Sequence, residues 1–223
     1  MERPKLLDLF CGGKSVANVA EQMGFEVYTL DIDPRCKPDF RVDILEFDYR
    51  QFPPGLFDVI WASPDCRMFS CARRSNIGRM VNGEICTQET LDRDLNNIGL
   101  PLLRRTEEII DYLKPKAYFI ENPATGKMKD YIENRYVTTF DYCMFGFLYR
   151  KRTNIWSNLE LKDRLCDKSH KVNGRHPMTA IGSSKTQKGQ GGGNSKQERH
   201  AIPEKLVKHL LTQANMFSIY NEQ

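Results

Sequence analysis

Ser63-Pro64-Asp65-Cys66 follows directly on the apolar run Phe57-Asp58-Val59-Ile60-Trp61-Ala62. A strand that runs into Ser-Pro stops there, because proline has no N–H to continue the ladder and fixes its own φ. Cys66 is thereby delivered onto a loop at the C-terminal edge of a strand, the edge at which open α/β sheets bind ligands. Arg67, Arg73, Arg74 and Arg79 come after it, and nearby positive charge favours the thiolate, the nucleophilic form. A cysteine beside a turn also serves as small core packing, so the rest of the chain decides. Glu121 is the second reactive candidate. It stands between apolar Phe119-Ile120 and rigid Asn122-Pro123, partly desolvated at a strand end, where a carboxyl can hold or share a proton.

These residues need a frame. Lys5–Phe10 reads as a buried strand, Cys11-Gly12-Gly13 as the tight turn out of it, and Ser15 as the cap of a helix closed by Gly24. A second strand, Val27–Leu30, ends in Asp31-Ile32, with the acid placed to accept hydrogen bonds from ribose hydroxyls. Asp43-Ile44 ends a third, where the carboxylate could accept from an adenine amino group while the aliphatic chain packs on the ring. Leu100–Leu113 is an amphipathic helix, Ala117–Ile120 a further strand, and Val137–Tyr142 and Asn154–Trp156 two more. A C-terminal helix over 204–214, within a segment 201–217, carries one apolar face with which to dock on the sheet. Strand and helix alternate, so the expected class is α/β: a doubly wound, mainly parallel sheet in a single domain spanning 1–223.

The composition bounds the rest. The chain has 223 residues, 40% of them hydrophobic, with a net charge of +4, enough for one full core. Apolar runs are too short for a membrane span, and Met1–Asp8 does not read as a signal peptide. Seven cysteines without paired spacing point to a reducing, intracellular compartment. The positive charge is concentrated. Residues 67–80 hold four arginines and no acid, and residues 168–199 hold seven basic residues against Glu198 alone. Such segments suit a polyanion. Residues 159–200 read as a basic, Gly/Lys-rich loop, with Lys185, Lys188 and Lys196 among glycines and serines. Cys166, His170 and His176 lack a clear fourth ligand, and no metal is expected.

Asp8-Leu9-Phe10-Cys11-Gly12, Ser63-Pro64-Asp65-Cys66 with Phe69-Ser70, and Ile120-Glu121-Asn122-Pro123 resemble, in that order, the first, fourth and sixth motifs of the cytosine-C5 DNA methyltransferases. The small phage and viral members are the most alike, and they share the Lys-x-Thr-x-Ile-Trp run matched by Lys151–Trp156. The likeness covers residues 5–158 well and Arg199–Pro203 in part. It implies a Rossmann-like fold, S-adenosylmethionine as cofactor, DNA (double-stranded) as partner, and a bacterial or host-cell location. It implies Cys66 as the nucleophile at C6 of cytosine, Glu121 on the N3–N4 edge and Arg152 polarising the base. Phe10, Cys11, Gly12, Gly13, Asp31, Ile32, Asp43, Ile44 and Pro64 are then expected around the cofactor. Arg67, Ser70, Arg73, Arg74, Arg79, Lys185, Lys188 and Lys196 are expected on DNA, in a monomer or weak dimer.

The chain departs from the family pattern in three places. Lys14-Ser15 replaces a Gly-Gly pair, Asp65 stands where most members have proline, and Asn154 takes the place of a second arginine. An acid beside the nucleophile opposes thiolate formation. With 159–200 so short, sequence selectivity is expected to be weak. Two alternatives stand beside the DNA reading: the same chemistry on tRNA, and a catalytically silent DNA-binding relative.

Overall fold

The computed structural model describes residues 2–169, 171, 176–177 and 200–221. Five parallel strands form its centre: β1 (Lys5–Leu9), β2 (Glu26–Asp31), β3 (Phe40–Arg41), β4 (Val59–Ala62) and β7 (Ala117–Pro123). Between β4 and β7 a small antiparallel hairpin, β5 (Met80–Val81) with β6 (Glu84–Ile85), stands apart from the sheet. Two antiparallel strands, β8 (Tyr136–Asp141) and β9 (Arg152–Ser157), extend the sheet beyond β7. The order is β3-β2-β1-β4-β7-β9-β8. The chain therefore winds outward from β1 in one direction and, after β3, resumes on its other side at β4. That reversal opens a crevice at the C-terminal ends of β1 and β4, where the Cys11-Gly12-Gly13 turn and the Ser63–Cys66 loop leave the sheet.

Central strands covered on both faces must be apolar in nearly every position. Leu6, Trp61, Phe119 and Ile155 pack on one face against helix α1 (Ser15–Gln22) and the C-terminal helix α4 (Glu204–Asn221). Leu206, Val207, Leu210 and Leu211 of α4 are fully buried there, each contributing about 1.5–3 kcal/mol. The other face, with Leu7, Leu9, Ile60 and Ile120, is covered by α3 (Leu100–Leu113) through Leu103, Ile109, Ile110 and Leu113. No described helix is long and apolar enough to cross a membrane.

The chain just before α3 differs from the sequence expectation. Helix α2 (Gln88–Asp94) runs through a wide π turn at Leu95–Gly99 directly into α3. Pro101 in the first turn of α3 offers no N–H to the carbonyl four residues earlier, and the wide turn absorbs that mismatch. Gly99 at its end lies under the Cys66 loop: a Cβ there would come within 2.8 Å of Met68 Cβ and 3.1 Å of Leu95 Cδ1. Ser15 also departs from expectation. It is the first helical residue, not the cap, and its hydroxyl accepts the Ile202 N–H at 3.3 Å. Gly24 (φ 92) closes α1 as its position suggests, with the Phe25 N–H returning to Ala20 O.

Alanine at position 99 gains about 1 kcal/mol of helix propensity but must push Met68 aside. Gly99→Ala is therefore expected to lower stability by about 1 kcal/mol or more, read as the urea midpoint. A midpoint at or above that of the parent chain would mean the loop yields without cost.

Candidate active site

The turn out of β1 is built from left-handed backbone. Phe10, Gly12 and Lys14 have φ of 63°, 47° and 57°, a strained run for the two that carry a Cβ. It is held from outside: Asp31, at the tip of β2, accepts the Gly12 N–H and the Asp33 N–H, both at 2.8 Å. Cys11 donates its own N–H to Leu30 O at 3.0 Å. Beside Asp31 the apolar Ile32 is 64% exposed, an uncovered hydrophobic surface at the crevice. Cys11 and Pro64 are buried, while Gly12 and Gly13 reach the surface of the turn. Asp43 accepts the Leu45 N–H at 3.0 Å through one oxygen. Ile44 departs from expectation in its exposure: it is 2% exposed within the α3-side core. Asp8 lies beneath the turn, wholly buried, and its Oδ2 has no hydrogen-bond partner among the described residues. Burial pushes its carboxyl up to about 8, so it is largely protonated at neutral pH.

Cys66 and Glu121 reach the same edge by neighbouring strands. Strand β4 pairs in parallel with β7, Ala62 opposite Ile120. The side-chain amide of Asn122 donates to Pro64 O at 2.9 Å in a buried contact. The loop after Cys66 is anchored in turn, because Lys127 donates its N–H to Phe69 O at 2.8 Å. Glu121 is 6% exposed. Its Oε1 accepts from the Tyr142 hydroxyl at 2.9 Å and lies 3.7 Å from Lys151 Nζ, which also stands 4.8 Å from the Tyr142 ring centre. Tyr142 and Lys151 were not anticipated; only the strand-end position of one and the Lys-x-Thr run of the other marked them in the sequence.

The charge around Cys66 is the reverse of what its arginine neighbours suggest. Burial pushes the thiol up, Glu121 and Asp65 add to the shift, and Lys151 opposes it. Arg67 instead pairs with Asp65, with Nε 2.7 Å from Oδ2, and Arg73 pairs with Asp94 on α2. Arg74 and Arg79 are exposed and form no ion pair among the described residues. The Ser70 hydroxyl accepts the Ala72 N–H at 3.3 Å and caps the short turn Cys71–Asn76. Lys185, Lys188 and Lys196 lie outside the described residues.

Arg152 is not brought to Glu121. Opposed residues share a face of the sheet and successive ones alternate. Ile155 opposes Glu121 and Thr153 opposes Pro123, so Arg152 is on the other face. There it forks onto Asp141, Nε to Oδ1 at 3.0 Å and Nη2 to Oδ2 at 2.9 Å. The cation beside Glu121 is Lys151. At the far edge of the sheet Cys166 and His176 come together with Cys143, and His170 lies outside the described residues.

No protein-family profile matches the chain. A probable DNA (cytosine-5)-methyltransferase of Frog virus 3 (isolate Goorha) is 46% identical over 159 residues, covering 70% of this chain and 71% of that protein. A solved methyltransferase of Entamoeba histolytica superposes with a TM-score of 0.50 at 15% identity, over 74% of this chain and 56% of that one. The chain thus spans little more than half of that structure, and the likeness is one of fold.

Two titrations follow from this geometry. Alkylation of Cys66 by iodoacetamide, followed by peptide mass spectrometry, is expected to rise with a midpoint above the ~8.5 of a free thiol. Lys151→Met should move that midpoint up and Glu121→Gln should move it down; the opposite order would mean other charges control the thiol. Asp8 behaves differently. The folded chain keeps its proton to about pH 8, whereas the unfolded chain loses it near pH ~4. Between these values the folded state binds the extra proton, so stability falls as pH rises. Asp8→Asn should raise the urea midpoint near neutral pH, with the gain vanishing toward pH ~4. A gain independent of pH would show that Asp8 is ionised in the fold.

Proposed function

The chain belongs to the DNA cytosine-5-methyltransferase family, and on that premise we propose that it methylates C5 of cytosine in duplex DNA, with Cys66 as the nucleophile and S-adenosylmethionine as the methyl donor. The observation that carries this reading is the pairing of β4 with β7, closed by the Asn122–Pro64 hydrogen bond. It sets a half-buried thiol beside a buried carboxylate at the mouth of the sheet.

The residues of the crevice beside β1 fit the donor. Asp31 keeps acceptor capacity beyond its two backbone bonds, Ile32 offers an exposed apolar surface, and Asp8 has an unpartnered buried oxygen. Asp31 would take the ribose hydroxyls and Ile32 would cover the adenine, with Asp43 on its rim. The bound donor supplies an electrophilic methyl group on a sulfonium, which C5 takes.

The chain's own work is on the base. C5 and C6 are shielded within the stack, so the cytosine must be extruded. Addition of the Cys66 thiolate breaks the C5=C6 π bond and moves its electrons toward N3, where a proton shared with Glu121 receives them. Tyr142 and Lys151 hold the Glu121 carboxyl in place for that exchange. After methylation a solvent base takes the C5 proton, the Cys66 sulfur leaves as thiolate as the C5=C6 bond re-forms, and the N3 proton returns to Glu121. Arg74 and Arg79, with Lys185, Lys188 and Lys196, provide phosphate contacts that position without reading sequence. Arg152 acts through Asp141, not on the base.

DNA containing 5-fluorocytosine tests the assignment, because fluorine cannot leave as a cation and the adduct is trapped. With S-adenosylmethionine present, a denaturation-resistant complex should form, and Cys66→Ser should abolish it while Cys71→Ser should not. An adduct that persists in Cys66→Ser would overturn the assignment. Tritiated methyl transfer to duplex DNA, single-stranded DNA and tRNA should favour the duplex.

A further inference from the structure

Cys143, Cys166 and His176 lie outside the machinery described above. Their ligand atoms all fall within 4.8 Å of one another, and Cys166 Sγ is 3.5 Å from His176 Nε2. Around a tetrahedral zinc ion, with bonds of ~2.3 Å to sulfur and ~2.0 Å to nitrogen, neighbouring ligands stand about 3.5–3.8 Å apart. The Cys166–His176 pair already has that spacing.

Two of the three ligands sit on fixed backbone. Cys143 is buried in the turn Tyr142–Phe145 that follows β8. Cys166 lies where the chain returns along β8, held by the Phe140–Arg164 bridge and by its own N–H to Asp141 Oδ2 at 2.9 Å. Asp141 is in turn fixed by Arg150 and Arg152. His176 arrives from further along the basic segment.

We propose that Cys143, Cys166 and His176 bind a zinc ion that fastens the segment after β9 to the edge of the sheet, with solvent in the fourth position. The donor set selects the metal: two thiolates and an imidazole suit zinc, whereas hard cations need oxygen ligands. The local packing gives the ion a task. From Lys162 to Ser169 every residue except Cys166 is exposed, Leu165 included, so this stretch buries almost no apolar surface of its own. Short stretches of that kind are often ordered by a metal. Binding replaces two S–H bonds by zinc–sulfur bonds and releases both protons to solvent. Unlike the methyl-transfer reading, this site requires neither DNA nor cofactor.

The test uses the full chain, purified under reducing conditions and analysed for metal by mass spectrometry of the acid-digested protein. One zinc per chain is expected. Cobalt added to the metal-free protein should give the visible bands of a tetrahedral site and a thiolate charge-transfer band. Cys143→Ser, Cys166→Ser and His176→Ala should each weaken zinc binding by about 10-fold or more, while Cys36→Ser leaves it unchanged. Metal removal should also speed proteolytic cleavage after Leu161, and zinc should reverse it. The proposal is overturned if protein folded by circular dichroism takes up no stoichiometric zinc. It is equally overturned if the three variants bind as the parent does, or if peptide mapping finds Cys143 and Cys166 joined as a disulfide under the same reducing conditions.

Discussion

Asn122 stands one residue beyond Glu121 on β7, and its side-chain amide reaches across to the carbonyl of Pro64, two residues before Cys66. Both groups are buried, so neither has water to fall back on. A buried hydrogen bond adds about 0.5–1.5 kcal/mol net, but an abandoned partner costs about 1–3 kcal/mol. The constraint is therefore steep, and it acts on the relation between two chemical groups, not on the position of either alone. Strand pairing brings β4 and β7 side by side; this bond sets how far the loop that leaves β4 can swing from the carboxylate.

The second organising feature is how the chain uses its charge. An arginine-rich stretch beside a cysteine suggests an activated thiolate, yet Arg67 folds back on Asp65 and Arg73 is taken by Asp94. Arg152 likewise supports Asp141. The thiol is left with burial and Glu121 pressing it toward the protonated form and Lys151 as the opposing charge. Reactivity is thereby tied to the arrangement of the site, because a thiol that is ionised only with its partners in place is protected from indiscriminate alkylation.

The framework was largely legible in the residues. Apolar runs ended by Asp31, Ser63-Pro64 and Asn122-Pro123 marked β2, β4 and β7, and their alternation with helices led to a mainly parallel α/β sheet, because a buried parallel strand must be apolar and must stop sharply. What could not be read were consequences of faces and partners. Ile44 looked like a cofactor contact by its place after Asp43, but it packs into the core under α3. Arg152 looked catalytic by its place in a motif, but antiparallel pairing with β7 puts it on the opposite face from Glu121. Cys143 could not be joined to Cys166 without knowing that the chain returns along β8. The π turn before α3 left only one trace, a proline where a helix would otherwise continue.

The hydrogen bond from Ile202 to Ser15 spans 187 residues of chain, and α4 completes the cover over α1 from the same end. Helix α1 packs on β1 and β2, but α4, far along the chain, is also needed to cover it. Closing so long a span carries a loop-closure cost that only late contacts repay. A chain cut between α1 and α4 would keep the Cys66 loop but lose the contact that anchors the helix leaving the β1 turn.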